Sequence, residues 1–452
     1  MRVVPLALRR DPLHVLAALA AEPGAFLLNV PDPARPLVLL GCRPRAVLRV
    51  HADGTAERSD GAPCAADPLD AIEAFVRDAG SAEAAPFPLG GGAIGFLGYE
   101  LGCRIHGIAA ARGTLPLAVL AHYDPILAWD ATRQQYALVC RDAQSARAAW
   151  LERLGVPPPP APEGPIAGGP LGALVPADGH RASVRRILDY LAAGDAYQVN
   201  LTQPYTAPLA APAWRLFAAL ATRHPVPHAA YVDLGDAQLV ANSPELFLRR
   251  RGARVETHPI KGTRPRGDTP ARDAALAAEL ERDPKERAEH VMIVDLERND
   301  LGRVAETGSV RVEAHAALES HPTVHHLVSR VTARLRPEVG LAALLRATFP
   351  GGSITGAPKR RAMEIIAELE ATPRGPYTGA FGFFSANGDL ELGLAIRTAV
   401  VQGRAVRWGA GGGIVAESDP DRELAECWLK TAALRRALGE DGAAALAQCS
   451  SG

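Results

Sequence analysis

Between Ala182 and Ala193 the apolar residues Val184, Ile187, Leu188 and Leu191 recur at spacings of three and four, and Gly194 closes the run. That period predicts a helix with one buried face. A second helix is expected from Asp283-Pro284-Lys285-Glu286, where an N-cap acceptor, Pro at the first helical position and Glu at the third make a capping box. A third starts near Ser418-Asp419-Pro420 and ends by Gly439. Short β-like runs stand at 37–41, 94–97, 136–140, 231–234, 239–241, 381–385, 390–401 and 405–408, with the hairpin signal Asn387-Gly388 between two of them. The strands come in adjacent groups without strict β-α-β alternation, so the fold class is α+β with antiparallel sheets.

The clearest seam is Val156 to Gly179, which begins Val-Pro-Pro-Pro-Pro-Ala-Pro and passes through Gly168-Gly169-Pro170. So much Pro and Gly supports neither a helix nor a central strand, and the stretch reads as a linker. The sequence therefore divides into an N-terminal region (1–155), a linker (156–179), a main region (180–440) and a frayed tail (441–452).

Composition narrows the function. Hydrophobic residues make up 48% and charged residues 22% of the 452, the profile of a globular protein. A formal net charge of -1 provides no basic field for nucleic acid or an anionic membrane, so a small anionic substrate must be held by local cations. No apolar run is long enough to span a bilayer, and Arg9-Arg10-Asp11 interrupts any signal-like start. Six scattered cysteines (Cys42, Cys64, Cys103, Cys140, Cys427, Cys449) form no metal-spaced cluster and fit a reducing, cytoplasmic setting.

Two carboxylate pairs then stand out. Glu286 and Glu289 share one face of the second helix, and Glu423 and Glu426 share one face of the third, with Lys430 a turn further. Such a set suits a hard cation, Mg2+ above all. Taken alone, spacing favours the simpler reading, Glu286 as a capping-box residue and Glu289 as part of a solvated face. The loop Gly351-Gly352-Ser353-Ile354-Thr355-Gly356-Ala357-Pro358-Lys359 is no P-loop, because Ala-Pro precedes the lysine. It reads either as an anion-binding loop or as a plain turn into a helix. Gly409-Ala410-Gly411-Gly412-Gly413 follows a strand and points to backbone amides closely approaching a ligand carboxylate.

Together, several segments resemble the chorismate-utilising enzymes. They are Gly90-Gly91-Gly92 to Gly98-Tyr99-Glu100-Leu101, Gly194 to Asn200, Ser243-Pro244-Glu245-Leu246-Phe247 and His258-Pro259-Ile260-Lys261-Gly262-Thr263-Arg264. Lys285 to His290, Asp295-Leu296-Glu297-Arg298-Asn299-Asp300, His326 to Arg330, both glycine segments and Glu423 to Lys430 complete the series. The resemblance implies a sandwich of large antiparallel sheets with flanking helices. It also implies Mg2+ at Glu289 and Glu426 with Glu286 and Glu423 in support. A pocket for the second carboxylate of chorismate would be formed by Tyr377, Arg397, Lys430 and the amides of Gly411, Gly412 and Gly413.

Two positions select the reaction within the family. Water-adding members carry a lysine base where this chain has Gln198, and an amide cannot act as a base at neutral pH. Anthranilate-forming members have a small residue where this chain has Lys261. The members that make 4-amino-4-deoxychorismate have Pro-Ile-Lys-Gly-Thr, as at 259–263. The resemblance thus implies Lys261 as nucleophile, Glu245 as general acid, and Thr263 and His326 as positioning groups. Ammonia would come from a separate glutamine amidotransferase subunit, since no nucleophile loop of that kind is present. The rival readings are an anthranilate-forming synthase and a non-catalytic chorismate-binding subunit. One departure is Leu27-Leu28-Asn29-Val30, which lacks the acid and serine of the tryptophan pocket in amine-forming relatives.

Overall fold

The computed structural model describes residues 1–33, 35–80, 91–155, 164–321 and 324–440. Gly90, the first eight residues of the expected linker, and the 441–452 tail with Cys449 lie outside the described residues.

Among the described residues, strands from before and after the 156–179 segment build two sheets, one of 12 strands and one of 11, in which every pairing is antiparallel. Alternation along the strands explains how the layers stack. On Ala380–Ser385, Phe381 and Phe383 enter the apolar layer between the sheets, while Ala380 and Phe384 face a second layer under the outer helices. On Phe26–Val30 of the other sheet, Phe26 and Leu28 face the same middle layer, and Leu27 faces outward. Helices Pro68–Asp78, Leu341–Thr348 and Lys359–Leu369 cover one outer face; Pro12–Leu19, Ala143–Gly155 and Ala213–Arg223 cover the other. This is the expected α+β sandwich with flanking helices.

Both sheets draw strands from either side of the 156–179 segment. Leu28 on Phe26–Val30 pairs with Ala230, and Phe96 on Gly92–Leu97 pairs with Phe381. The segment read as a linker also contains regular structure. Gly172–Ala173 pairs with Thr206 and Tyr205, and the helix expected from Ala182 begins at Ala177 and ends at Ala192. Pro176 directly precedes it, where a missing N–H costs nothing.

Two further boundaries differ for physical reasons. The run 390–401 is two strands: Leu390–Leu394 lies in the 11-stranded sheet and Thr398–Gln402 in the 12-stranded one. The chain crosses between sheets through Ala395, Ile396 and Arg397, and Arg397 takes φ +49° at that corner. The strand expected at 405–408 continues to Ile414, so Gly409 to Gly413 are strand residues rather than a loop. All ten of its residues pair with Gln198–Pro208.

Candidate active site

The helices that carry the acidic pairs begin alike. Asp283 caps Pro284–Gly302 by accepting from the Lys285 and Glu286 amides at 3.0 and 3.1 Å; Asp419 caps Pro420–Lys430 from the Asp421 and Arg422 amides at 3.1 and 3.0 Å. The capping box is only half formed. Glu286 does not turn back onto Asp283, whose N–H donates to the Leu280 carbonyl; its carboxylate instead lies 3.6 Å from Arg264. All four glutamates sit in the first two turns, where the helix dipole favours negative charge.

The two pairs sense each other. Burial raises the pKa of Glu289 against the pull of Lys261 and Lys285, and repulsion from Glu286 and Glu426 adds to the rise. Burial likewise raises Glu423, which accepts a 2.6 Å hydrogen bond from the Ser418 hydroxyl and is repelled by Glu426. Glu426 goes the other way. Burial opposes its charge, but Lys430 at 2.7 Å outweighs this and lowers its pKa. Among the described residues, no three His, Cys, Asp or Glu groups are gathered closely enough to ligate one ion.

Gly412 lies against this cluster. A side chain there would begin 3.2 Å from Glu423 Oε2 and 3.6 Å from both Glu426 Oε1 and Lys430 Nζ. The neighbouring glycines face differently: a Cβ at Gly411 would strike the Leu201 carbonyl oxygen at 2.3 Å, and one at Gly413 would strike Gln198 Nε2 at 2.3 Å. Two of the three are therefore small for strand packing. The ladder to Thr398–Gln402 ends at Trp408, so beyond it the strand pairs on one edge only. The Gly411 carbonyl accepts from Lys430 Nζ at 2.7 Å.

The opposite wall is the edge strand Ile260–Pro265, paired with Val324–Arg334. Its register shifts between Lys261 and Thr263, at Gly262 with φ +72°, a bulge that changes where its side chains point. Lys261 Nζ comes within 4.0 Å of Glu289 Oε2. Thr263 Oγ1 and His326 Nδ1 are 3.0 Å apart. Burial, with repulsion from Arg397 second, depresses His326 to about 4, so the ring is neutral at pH 7; its Nε2 is buried without a partner among the described residues.

Glu245 is 5% exposed and accepts a 2.7 Å hydrogen bond from the Ser353 hydroxyl. Burial pushes its carboxyl up to about 7; Ser353 and Lys261 work against the rise, and Glu297 adds to it. Arg397, half-buried, makes no hydrogen bond or ion pair with its guanidinium among the described residues; burial lowers its pKa, and Glu245 is the charge that opposes this. Tyr377 makes no hydrogen bond or ion pair with these groups among the described residues. Its ring packs on Gly409, where a Cβ would meet Tyr377 Cε1 at 2.5 Å, and burial raises its hydroxyl well above the ordinary range.

The loop at 351–359 is not an open anion site. Gly352 N–H donates to Glu297 Oε1 at 2.8 Å, and Lys359 Nζ is buried on Asp300 and on the Thr348 and Pro350 carbonyls at 3.0 and 2.6 Å. Sequence reasoning missed Ser353, Glu297 and Asp300 as parts of the site. Their signal was the i,i+3 acid pair of Glu297 and Asp300, facing the glycine loop from a buried helix side. A cavity of about 760 Å3 borders Tyr377, Thr398 and Gly409 but none of the four helix glutamates, Lys261 or Glu245.

The description "chorismate binding enzyme" fits residues 24–436, matched by that family's model. The aminodeoxychorismate synthase of Streptomyces griseus is 45% identical over 78% of this chain, which spans about half (51%) of that relative's length. Aminodeoxychorismate synthase component 1 of Klebsiella aerogenes is 38% identical over 92% of this chain and 94% of its own. Anthranilate synthase component 1 of Thermus thermophilus is 42% identical over 78% of each. The crystal structure of anthranilate synthase component I from Streptococcus pneumoniae TIGR4 superposes with a TM-score of 0.80 at 31% identity, covering 89% of this chain and 93% of that one. With that match across most of its length and the fold to go with it, the chain belongs to the chorismate binding enzyme family.

Proposed function

We propose that this chain converts chorismate and ammonia to 4-amino-4-deoxychorismate through a covalent bond to Lys261. The observation that carries the reading is the pairing of roles in one cleft: an amine at 4.0 Å from Glu289 and a carboxyl at Glu245 that burial keeps protonated up to about pH 7. Glu245 donates its proton to the departing 4-hydroxyl as the Lys261 amine, its ammonium proton first given up to solvent, attacks C2, releasing water. Ammonia then attacks C4, the bond to Lys261 breaks, and the proton that ammonia sheds restores Glu245. Two displacements account for a new amine on the face the hydroxyl left.

Glu286, Glu289, Glu423 and Glu426 would hold Mg2+. The set is all oxygen and spread over two helices, which suits an ion that takes one or two carboxylates and keeps waters and substrate oxygens. When bound, the ion supplies a Lewis acid at the ring carboxylate. Arg397, with its unpaired fork, Lys430, the one-sided strand edge at Gly411 to Gly413 and Tyr377 are assigned to the other carboxylate. Thr263 and the neutral His326, joined to each other at 3.0 Å, position the substrate together.

Ammonia is assigned to a separate glutamine amidotransferase subunit; the Klebsiella relative's designation as component 1 supports a second component of some kind. The similarity to anthranilate synthases favours a second reading, with anthranilate as product. Chorismate, Mg2+ and an ammonium salt supplied to the purified chain separate the two by the product formed.

A further inference from the structure

Glu297 lies on Pro284–Gly302 beyond Glu289, is 4% exposed, and has no role in the chemistry described above. Its Oε1 accepts from the Gly352 amide at 2.8 Å, and the next residue, Ser353, donates to Glu245 Oε1 at 2.7 Å. A continuous path of contacts therefore joins the two carboxyls. One turn further, Asp300 takes the charge of Lys359, whose remaining donors go to backbone carbonyls. Glu297 is left without an ion-pair partner of its own among the described residues, a costly arrangement for a buried carboxyl.

We infer that Glu297 is a positioning residue that keeps the proton on Glu245. The inference rests on the reading of Glu245 as the general acid. The cations that face Glu245 are Lys261 from the edge strand and Arg397 from the crossing between sheets, and both favour loss of its proton. The Ser353 hydroxyl and the Ile260 amide favour the carboxylate as well. Burial and Glu297 are what oppose them. Glu297 is itself raised, by burial first and then by Asp300, so the two carboxyls lose their protons over overlapping ranges. As the pH rises, the charge gained at Glu297 makes the proton on Glu245 harder to remove.

Glu297→Gln isolates this effect, because the amide oxygen still accepts from Gly352 and only the charge is lost. The probe is chorismate consumption with Mg2+ and ammonium across pH, read without regard to product. A general acid gives a basic limb, with kcat/KM falling as the pH rises through its pKa. In E297Q that limb should move about one pH unit lower and become steeper, with the KM for chorismate unchanged. Ser353→Ala, which removes a hydrogen bond to the charged form of Glu245, should move the limb upward. An infrared titration of the protein without substrate, with the Glu245 carboxyl band assigned by its loss in E245Q, should shift in the same directions. Folded E297Q and wild type with one common limb and one common carboxyl titration would overturn the inference, as would a downward shift in S353A. If wild type consumes no chorismate while the infrared shifts appear, the functional reading fails and the role of Glu297 stands.

Discussion

Lys261 Nζ stands 4.0 Å from Glu289 Oε2, so the proposed nucleophile and a proposed metal carboxylate are neighbours before any ion or substrate is bound. Lys285 approaches the other Glu289 oxygen at 3.8 Å. Two ammonium groups thus neutralise the carboxylate in the absence of a divalent ion. Glu289→Gln should raise the Mg2+ concentration needed for half-maximal turnover by about 10- to 100-fold. Calorimetric titration with Mg2+ alone should show the same weakening; unchanged Mg2+ affinity in both assays would remove Glu289 from the metal site.

The raised carboxyl of Glu245 makes a prediction about stability. Its pKa climbs from the ordinary glutamate value of 4.5 to about 7 because burial disfavours the charge. The folded state then binds more protons than the unfolded state between those values, so this group's contribution is complete below about pH 4.5 and lost as pH rises through about 7. Glu245→Gln removes the penalty and should stabilise the protein above pH 7 by about 1–3 kcal/mol while abolishing turnover. Denaturant unfolding at pH 4 and pH 8 checks the sign: the gain should appear at pH 8 and nearly vanish at pH 4. A variant less stable at pH 8 contradicts a protonation-linked cost at this site.

Much of this cleft could be read from the sequence, and for identifiable reasons. Asp283-Pro284 and Asp419-Pro420 announce helix starts by local chemistry alone, and i,i+3 spacing then fixes which acids share a face. Whether those faces meet is a tertiary fact, and only the family resemblance supplied it. The glycines show the opposite limit. Gly409 to Gly413 read as a loop because glycine weakens a strand, yet the pairing with Gln198–Pro208 overrides that preference and places Tyr377 and Gln198 where side chains would otherwise sit. The Gly352 amide was read as available to an anion; the buried Glu297 already occupies it. The i,i+3 pair of Glu297 and Asp300 marks an acidic face, but not the loop it meets, since the partners are 55 residues apart.

Arg397 tests the carboxylate pocket. Its φ of +49° would suit glycine, so Arg397→Gly should leave stability nearly unchanged while removing the guanidinium. KM for chorismate should rise by about 10- to 100-fold, the loss expected for hydrogen bonds to a charged group. Arg397→Lys should recover only part of it, because an ammonium lacks the planar fork. A wild-type KM in the glycine variant would place the substrate's carboxylate elsewhere.

The central claim is the covalent role of Lys261, and product analysis of wild type and Lys261→Ala with chorismate, Mg2+ and ammonium tests it most directly. Wild type should form 4-amino-4-deoxychorismate, and the variant none although chorismate still binds. Anthranilate from wild type, or undiminished 4-amino-4-deoxychorismate from the variant, would contradict it.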